Sequence, residues 1–213
     1  MTDTIVALYV DYRSPYSYLV KEDAYRLEDD FRVRIDWYPY GIDVESVYGA
    51  VEQRTEREWR KVRYLYMDVR RLANKRGLIV KGTRKIYDPT LASLGMLYAK
   101  SLGVLRHYHD TLLSKFWTHE AEIDRSEDVE AALVAAGATV EGFRAFAGGE
   151  GPVQLRGVYE AASAQGVFGA PTFIFNGELF WGTDRVGLLR ERLAAEALGL
   201  APSGSSANLK RPK

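Results

Sequence analysis

Apolar and polar residues follow two periodicities along the chain, and the changes between them mark three segments. Ile5-Val-Ala-Leu-Tyr-Val10 is apolar and β-branched, and Val33-Arg-Ile-Asp-Trp-Tyr38 alternates with a period of two, so both read as strands. Between them Ser14-Pro15 opens a helix, because Ser caps free N–H groups and Pro needs none at the first helical position. The first forty residues therefore predict a βαβ unit.

From about Val44 to Gly166 the period changes to that of a helix. Val62, Leu65, Val69, Leu72 and Ala73 recur on one face, with Arg60, Lys61, Arg63, Arg70 and Arg71 between them. Leu91–Leu102 and Tyr108–Trp117 are further apolar helical stretches, and Ser126, followed by acidic residues, reads as the cap of another. Thr139 starts a helix ending at Gly148, and Pro152 one ending at Gly166.

The strand signal returns in Thr172-Phe-Ile-Phe175 and Glu178-Leu-Phe-Trp181. The Asn176-Gly177 pair between them is a hairpin signal, since both positions tolerate φ > 0. A last helix is expected from about Asp184 to Leu198, with Gly199 as its stop. The order βαβ, helices, ββα predicts an α/β fold in which the two ends of the chain complete one sheet. The expected division places residues 1–43 and 167–201 in the sheet domain, 44–166 in a helical insertion and 202–213 in a flexible tail rich in Ser, Gly, Lys and Pro.

Composition narrows the chemistry. Lys+Arg and Asp+Glu both number 29, so no overall field attracts nucleic acid or an acidic membrane surface, and an acidic ligand must be recognised locally. Of the 213 residues none is cysteine, which excludes disulfides, thiolate metal sites and a catalytic thiol. Any sulfur chemistry must use a thiol brought in from outside. The first residues show no basic and apolar leader pattern, and no run approaches a membrane span, so the cytoplasm is the expected location. His107, His109 and His119 lack metal-ligand spacing and read as surface or packing residues.

Two short segments carry candidate chemistry. Ser14-Pro15-Tyr16-Ser17 sits between the first strand and the positive end of the first helix, although Ser14 taken alone reads first as a plain N-cap. Gly166-Val-Phe-Gly-Ala-Pro-Thr-Phe173 places Pro171 at the start of a strand, and a cis Ala170-Pro171 bond would account for it.

Taken together, Asp11-Tyr-Arg-Ser-Pro-Tyr-Ser-Tyr-Leu19 and Gly166 through Arg185 resemble the signatures of 2-hydroxychromene-2-carboxylate isomerases, relatives of kappa-class glutathione transferases in the DsbA-like thioredoxin superfamily. The resemblance is strong at both ends, weak in the middle, and compatible with the order of elements to about Leu200. It implies a thioredoxin-like fold, glutathione as cofactor, an unsaturated aromatic acid as substrate, and a homodimer. By that resemblance Ser14 contacts the glutathione sulfur, and the backbone of Ala170, before cis-Pro171, faces Ser14 and pairs with the tripeptide. Thr183 and Asp184 hold the γ-glutamyl end, although a plain helix cap is the alternative for this pair. Lys61 matches a family lysine and reads equally as part of a solvated helix face. The chain departs from the family at Val51-Glu-Gln-Arg-Thr55, where an Asn often contacts glutathione.

Lys61, Lys81 and Lys85 are candidate partners for the substrate acid, and Tyr16, Trp37, Tyr38 and Trp181 are the aromatics nearest the motifs. The implied activity is cis-trans isomerisation by reversible thiolate addition. A glutathione transferase that releases a conjugate and a catalytically silent binding protein are the alternatives. Disulfide exchange through the protein's own thiols is excluded by composition.

Overall fold

The computed structural model describes residues 4–200, so the tail expected at 202–213 lies outside the described residues. Strand β1 (Thr4–Val10) leads into helix α1 (Pro15–Asp30) and strand β2 (Val33–Pro39). Helices α2 (Val44–Tyr48), α3 (Glu56–Lys75), α4 (Thr90–Ser101), α5 (Leu105–Trp117), α6 (Ser126–Ala135), α7 (Val140–Gly148) and α8 (Gly151–Ala164) follow. Strands β3 (Thr172–Phe175) and β4 (Glu178–Trp181) then precede helix α9 (Val186–Ala197).

The four strands form one sheet in the order β2-β1-β3-β4, with β1 parallel to β2 and antiparallel to β3, and β3 antiparallel to β4. Two strands from each end of the chain thus complete it, as the sequence predicts. The register aligns Trp37, Leu8, Phe173 and Phe180 in one buried row across all four strands. Because side chains alternate between faces, this row joins the main core with α1, α9 and most of the helical segment. On the opposite face Tyr9 and Ile174 pack with Ala162 of α8 and Val167. Burial of apolar surface in these two clusters is the main force holding helices to sheet.

The hairpin between β3 and β4 turns at Asn176 and Gly177 with φ of 48° and 79°, the left-handed conformations its sequence calls for. Helix α1 starts as expected, with Ser14 accepting from the Ser17 N–H and Pro15 in the first turn. Two expected starts are corrected. Ser126 lies inside the first turn of α6 and makes no capping bond; Asp128 instead accepts from the Glu122 N–H and pairs with Arg125. The expected helix from Asp184 begins with a tighter 3-10 turn, Thr183–Arg185, and α9 proper starts at Val186. A 3-10 turn is a common way to tighten a helix end that lacks a side-chain cap.

His109 is buried in the core, its ring 4.8 Å from that of Trp37 and 5.7 Å from that of Tyr12. Both ring nitrogens lack a hydrogen-bond partner among the described residues, as do the Tyr12 hydroxyl and the Trp117 indole N–H. Burial, with a smaller contribution from the Lys21 ammonium, holds the His109 pKa down to about 3, so the ring is neutral at physiological pH.

Candidate functional site

A cleft of about 1360 Å³ runs between the end of the sheet and the helical segment. Its sheet-side wall comes from the Asp11–Tyr16 turn, the Phe168–Pro171 loop and the Trp181–Arg185 turn. The opposite wall comes from α2, α3 and the irregular strap at residues 82–87. Each site residue expected from the sequence, namely Ser14, Lys61, Ala170, Pro171, Thr183 and Asp184, lines this one cleft.

Ser14 sits at its floor, 6% exposed, where chain direction changes from β1 to α1. Its Oγ donates to the Ala170 carbonyl at 3.2 Å and accepts from the Ser17 N–H at 3.3 Å. The Ala170-Pro171 bond is cis, and the Ala170 backbone faces Ser14 as expected. The Pro171 carbonyl accepts from the Gly182 N–H at 2.9 Å, which ties this loop to the Thr183 turn. Pro15 brings no N–H, Ser17's is capped and Tyr18's bonds the Ser14 carbonyl, which leaves the Tyr16 N–H as the open donor of the first turn. The floor thus presents a hydroxyl and the positive end of a helix, an arrangement suited to an anion.

Beside the floor, the Tyr16 hydroxyl donates to Asp68 at 2.7 Å. Burial and then this bond raise the Tyr16 pKa well above that of an ordinary phenol, so Tyr16 stays protonated. The floor is braced from behind by a pair that the sequence reading did not single out. The buried Asp11 carboxylate takes a bidentate grip from Arg13, Nε on Oδ1 and Nη2 on Oδ2, and accepts from the Ile42 N–H at 2.8 Å. Arg13 also donates to the Ile42 carbonyl at 2.7 Å, so the Ser14 turn is fastened to the chain leaving β2. An Asp two residues before an Arg is common enough that only the fold reveals this brace.

At the sheet-side rim Asp184 is 70% exposed and pairs with its neighbour Arg185 at 2.7 Å. Gly182, with φ of 99°, lets the Asp184 carboxylate fold over the backbone; a Cβ there would stand 2.5 Å from Asp184 Oδ1. Trp181 lies over Gly169 and meets Phe168 at 4.9 Å between ring centroids, forming an exposed aromatic pair.

Two of the expected aromatics are elsewhere. Trp37 packs on His109 inside the core, and Tyr38 lies under the Lys100 ammonium with its hydroxyl on Asp36. Strand β2 is the sheet edge farther from the Pro171 loop, which separates both residues from the cleft. Only Tyr16 and Trp181 of that group line it. Lys81 also turns away, donating to the Thr118 carbonyl at 2.8 Å, while Lys85 lines the cleft but pairs with Asp124 at 3.0 Å. Across the lining, eight Lys and Arg face three Asp, a local cationic excess in a chain of zero net charge.

A sheet of this topology, with a cis proline facing the N-cap residue of the first helix, defines a thioredoxin-type fold. The chain belongs to the DsbA-like thioredoxin domain family, which matches residues 5–194. A 2-hydroxychromene-2-carboxylate isomerase of Pseudomonas sp. (strain C18) is 24% identical over 200 residues, covering 93% of this chain and 92% of that protein. The solved structure of a 2-hydroxychromene-2-carboxylate isomerase superposes with a TM-score of 0.76 at 25% identity, covering 92% of this chain and 99% of that one. Pseudomonas aeruginosa DsbA shares the fold at 13% identity with a TM-score of 0.56, over 92% of this chain and 85% of that one. Among the described residues no helix is long and apolar enough to cross a membrane, and no group of His, Cys, Asp and Glu could hold a metal ion.

Proposed function

We propose that the protein is a glutathione-dependent cis-trans isomerase of an unsaturated aromatic keto acid, with Ser14 stabilising the thiolate. The observation that carries this reading is the cysteine-free floor, where the Ser14 hydroxyl, the start of α1 and the Ala170 backbone meet across a cis proline. The relatives named as isomerases support the reaction class.

The residues present fit the tripeptide. A cleft of about 1360 Å³ exceeds the roughly 300–1000 Å³ usual for a single small ligand, which leaves room for an acceptor beside it. Asp184 offers a carboxylate for the ammonium of the γ-glutamyl end, its present partner being an exposed Arg185 pair of the kind that contributes little. Lys61, exposed on α3 across the cleft, offers a cation for a carboxylate.

When bound, glutathione supplies a thiolate that adds to a conjugated carbon and leaves again after rotation about the former double bond. Ser14 serves by turning its proton from the Ala170 carbonyl, a long bond at 3.2 Å, to the sulfur. A hydrogen bond to a charged group contributes about 1.5–3 kcal/mol and a helix terminus about 0.3–1. With about 1.4 kcal/mol per tenfold, a thiol only about 3% ionised at pH 7 becomes roughly 40% ionised or more.

Addition followed by elimination requires no net proton donation, whereas release of a conjugate requires protonation of carbon. The test is turnover of 2-hydroxychromene-2-carboxylate with and without glutathione, together with a crystal structure of the glutathione complex. Isomerisation that depends on glutathione, with its sulfur within hydrogen-bond reach of Ser14 Oγ, is expected. Absence of turnover with both present would overturn the reading.

A further inference from the structure

The eight cations of the cleft differ in what already holds them. Arg13 is gripped by Asp11, Arg60 by Glu56, Lys85 by Asp124 and Arg185 by Asp184. Arg54 donates to the Tyr48 and Gly49 carbonyls and stacks on Trp59. Arg57, Lys61 and Arg84 form no ion pair among the described residues.

Arg57 breaks two local rules at once. It lies in the first turn of α3, where the helix dipole disfavours a cation, and it stands four residues before Lys61, where like charges repel along one helix face. Its acidic neighbours give no relief: Glu56 is committed to Arg60 and Arg63, and Glu58 closes the capping box with Thr55. Residues that violate local preference without an evident compensation are expected at functional or strained sites.

Arg84 approaches from the strap. That segment is fastened to α3 by the Tyr66–Thr83 hydroxyl pair at 2.9 Å and by Arg70 donating to the Val80 carbonyl at 3.2 Å. It is fastened on its other side by His119 on the Gly82 carbonyl at 2.7 Å. The neighbour of Thr83 is therefore carried on an anchored strap, on the wall opposite Ser14. Exposed Val47, Val51 and Ile86 line the same wall and offer apolar contact.

We propose that Arg57 and Arg84, both on this wall of the cleft and unpaired among the described residues, form a carboxylate-selecting subsite for the acceptor. This rests on the cleft binding an unsaturated acid, and assigns the residues that select it. Arginine suits the task because its planar fork matches a carboxylate and keeps its charge.

The test uses cinnamate and its uncharged counterpart cinnamamide, titrated calorimetrically into the intact protein in low salt. Cinnamate should bind at least about tenfold more tightly than cinnamamide, and Arg57→Gln and Arg84→Gln should each remove most of that preference. Added salt should shrink it. Neither substitution should change cinnamamide affinity, Arg84→Gln should leave glutathione affinity unchanged, and Lys115→Gln, outside the cleft, should leave all three alone. Equal binding of the acid and the amide, or unchanged cinnamate affinity in both variants, would overturn the proposal. So would a loss confined to glutathione. Because cinnamate binding is read without turnover, failure of the glutathione reading would show separately, as absent glutathione binding with the acid preference intact.

Discussion

Lowering the pH from 8 to 5 should destabilise the protein through His109 alone by about 2 kcal/mol. His109 is 1% exposed, is faced by Tyr12, Trp37 and Tyr108, and lies near the Lys21 ammonium, which pairs with Asp110 and Glu22. With no acceptor in reach and a cation nearby, the folded state resists protonation until about pH 3, whereas the unfolded chain binds the proton near pH 6.5. A depressed histidine pKa therefore contributes stability in full above about pH 6.5 and loses it as pH falls toward 3, at up to about 1.4 kcal/mol per pH unit. Carboxylates such as Asp36 and Asp128 have pKa values lowered from 3.8 by their cationic partners, so they act mainly at lower pH. Urea unfolding of the wild type and His109→Phe at intervals from pH 8 to pH 5 isolates the effect. The wild type should lose about 2 kcal/mol more than the variant, or roughly 4–8 °C in Tm for a chain of this size. At pH 8 the variant should be near wild-type stability, since it removes two unpaired buried nitrogens. Parallel curves for the two proteins would refute the reasoning.

Other perturbations address the site itself. Asp11→Ala leaves Arg13 without its buried partner and frees Ile42, and should cost about 3–5 kcal/mol in urea unfolding; a loss below about 1 would contradict the brace. Gly182→Ala places a methyl against Asp184 at a φ of 99°, and should cost at least about 1 kcal/mol in thermal unfolding while weakening glutathione binding measured by calorimetry. If Asp184 receives the γ-glutamyl ammonium, Asp184→Asn should raise the glutathione Kd several-fold with little effect on Tm, and an unchanged Kd would remove that role.

The parts of the molecule legible in the sequence are those with strong local causes. Asn176-Gly177 specifies its own turn, Ser14-Pro15 starts α1 with groups it carries itself, and alternation in β2 sets which of its residues face the core. Thr183 and Asp184 do open the last helical segment, but as a 3-10 turn after Gly182 that α9 follows, a local tightening the sequence pattern does not distinguish from an α-helix. Ser126 misled, since Asp128 was free to satisfy the Glu122 N–H from within the first turn. Trp37 and Tyr38 are near the motifs in sequence but lie on the edge strand away from Pro171, and strand order is a tertiary choice. Arg57 and Arg84 meet one cleft because Tyr66 and Arg70 fasten the strap to α3, a convergence with no sequence period.

The central claim is that the Ser14 hydroxyl stabilises a bound thiolate, and ultraviolet titration of the glutathione thiol on wild type and Ser14→Ala measures it directly. A helix cap alone contributes about 0.5–2 kcal/mol of stability and leaves the bound thiol untouched. Loss of a charge-assisted hydrogen bond instead raises the thiol pKa by roughly 1–2. The account predicts that rise, alongside a lower Tm from the lost bond to Ser17. A Ser14→Ala protein that binds glutathione with an unchanged thiol pKa, and is merely less stable, would contradict it and leave Ser14 as a helix cap.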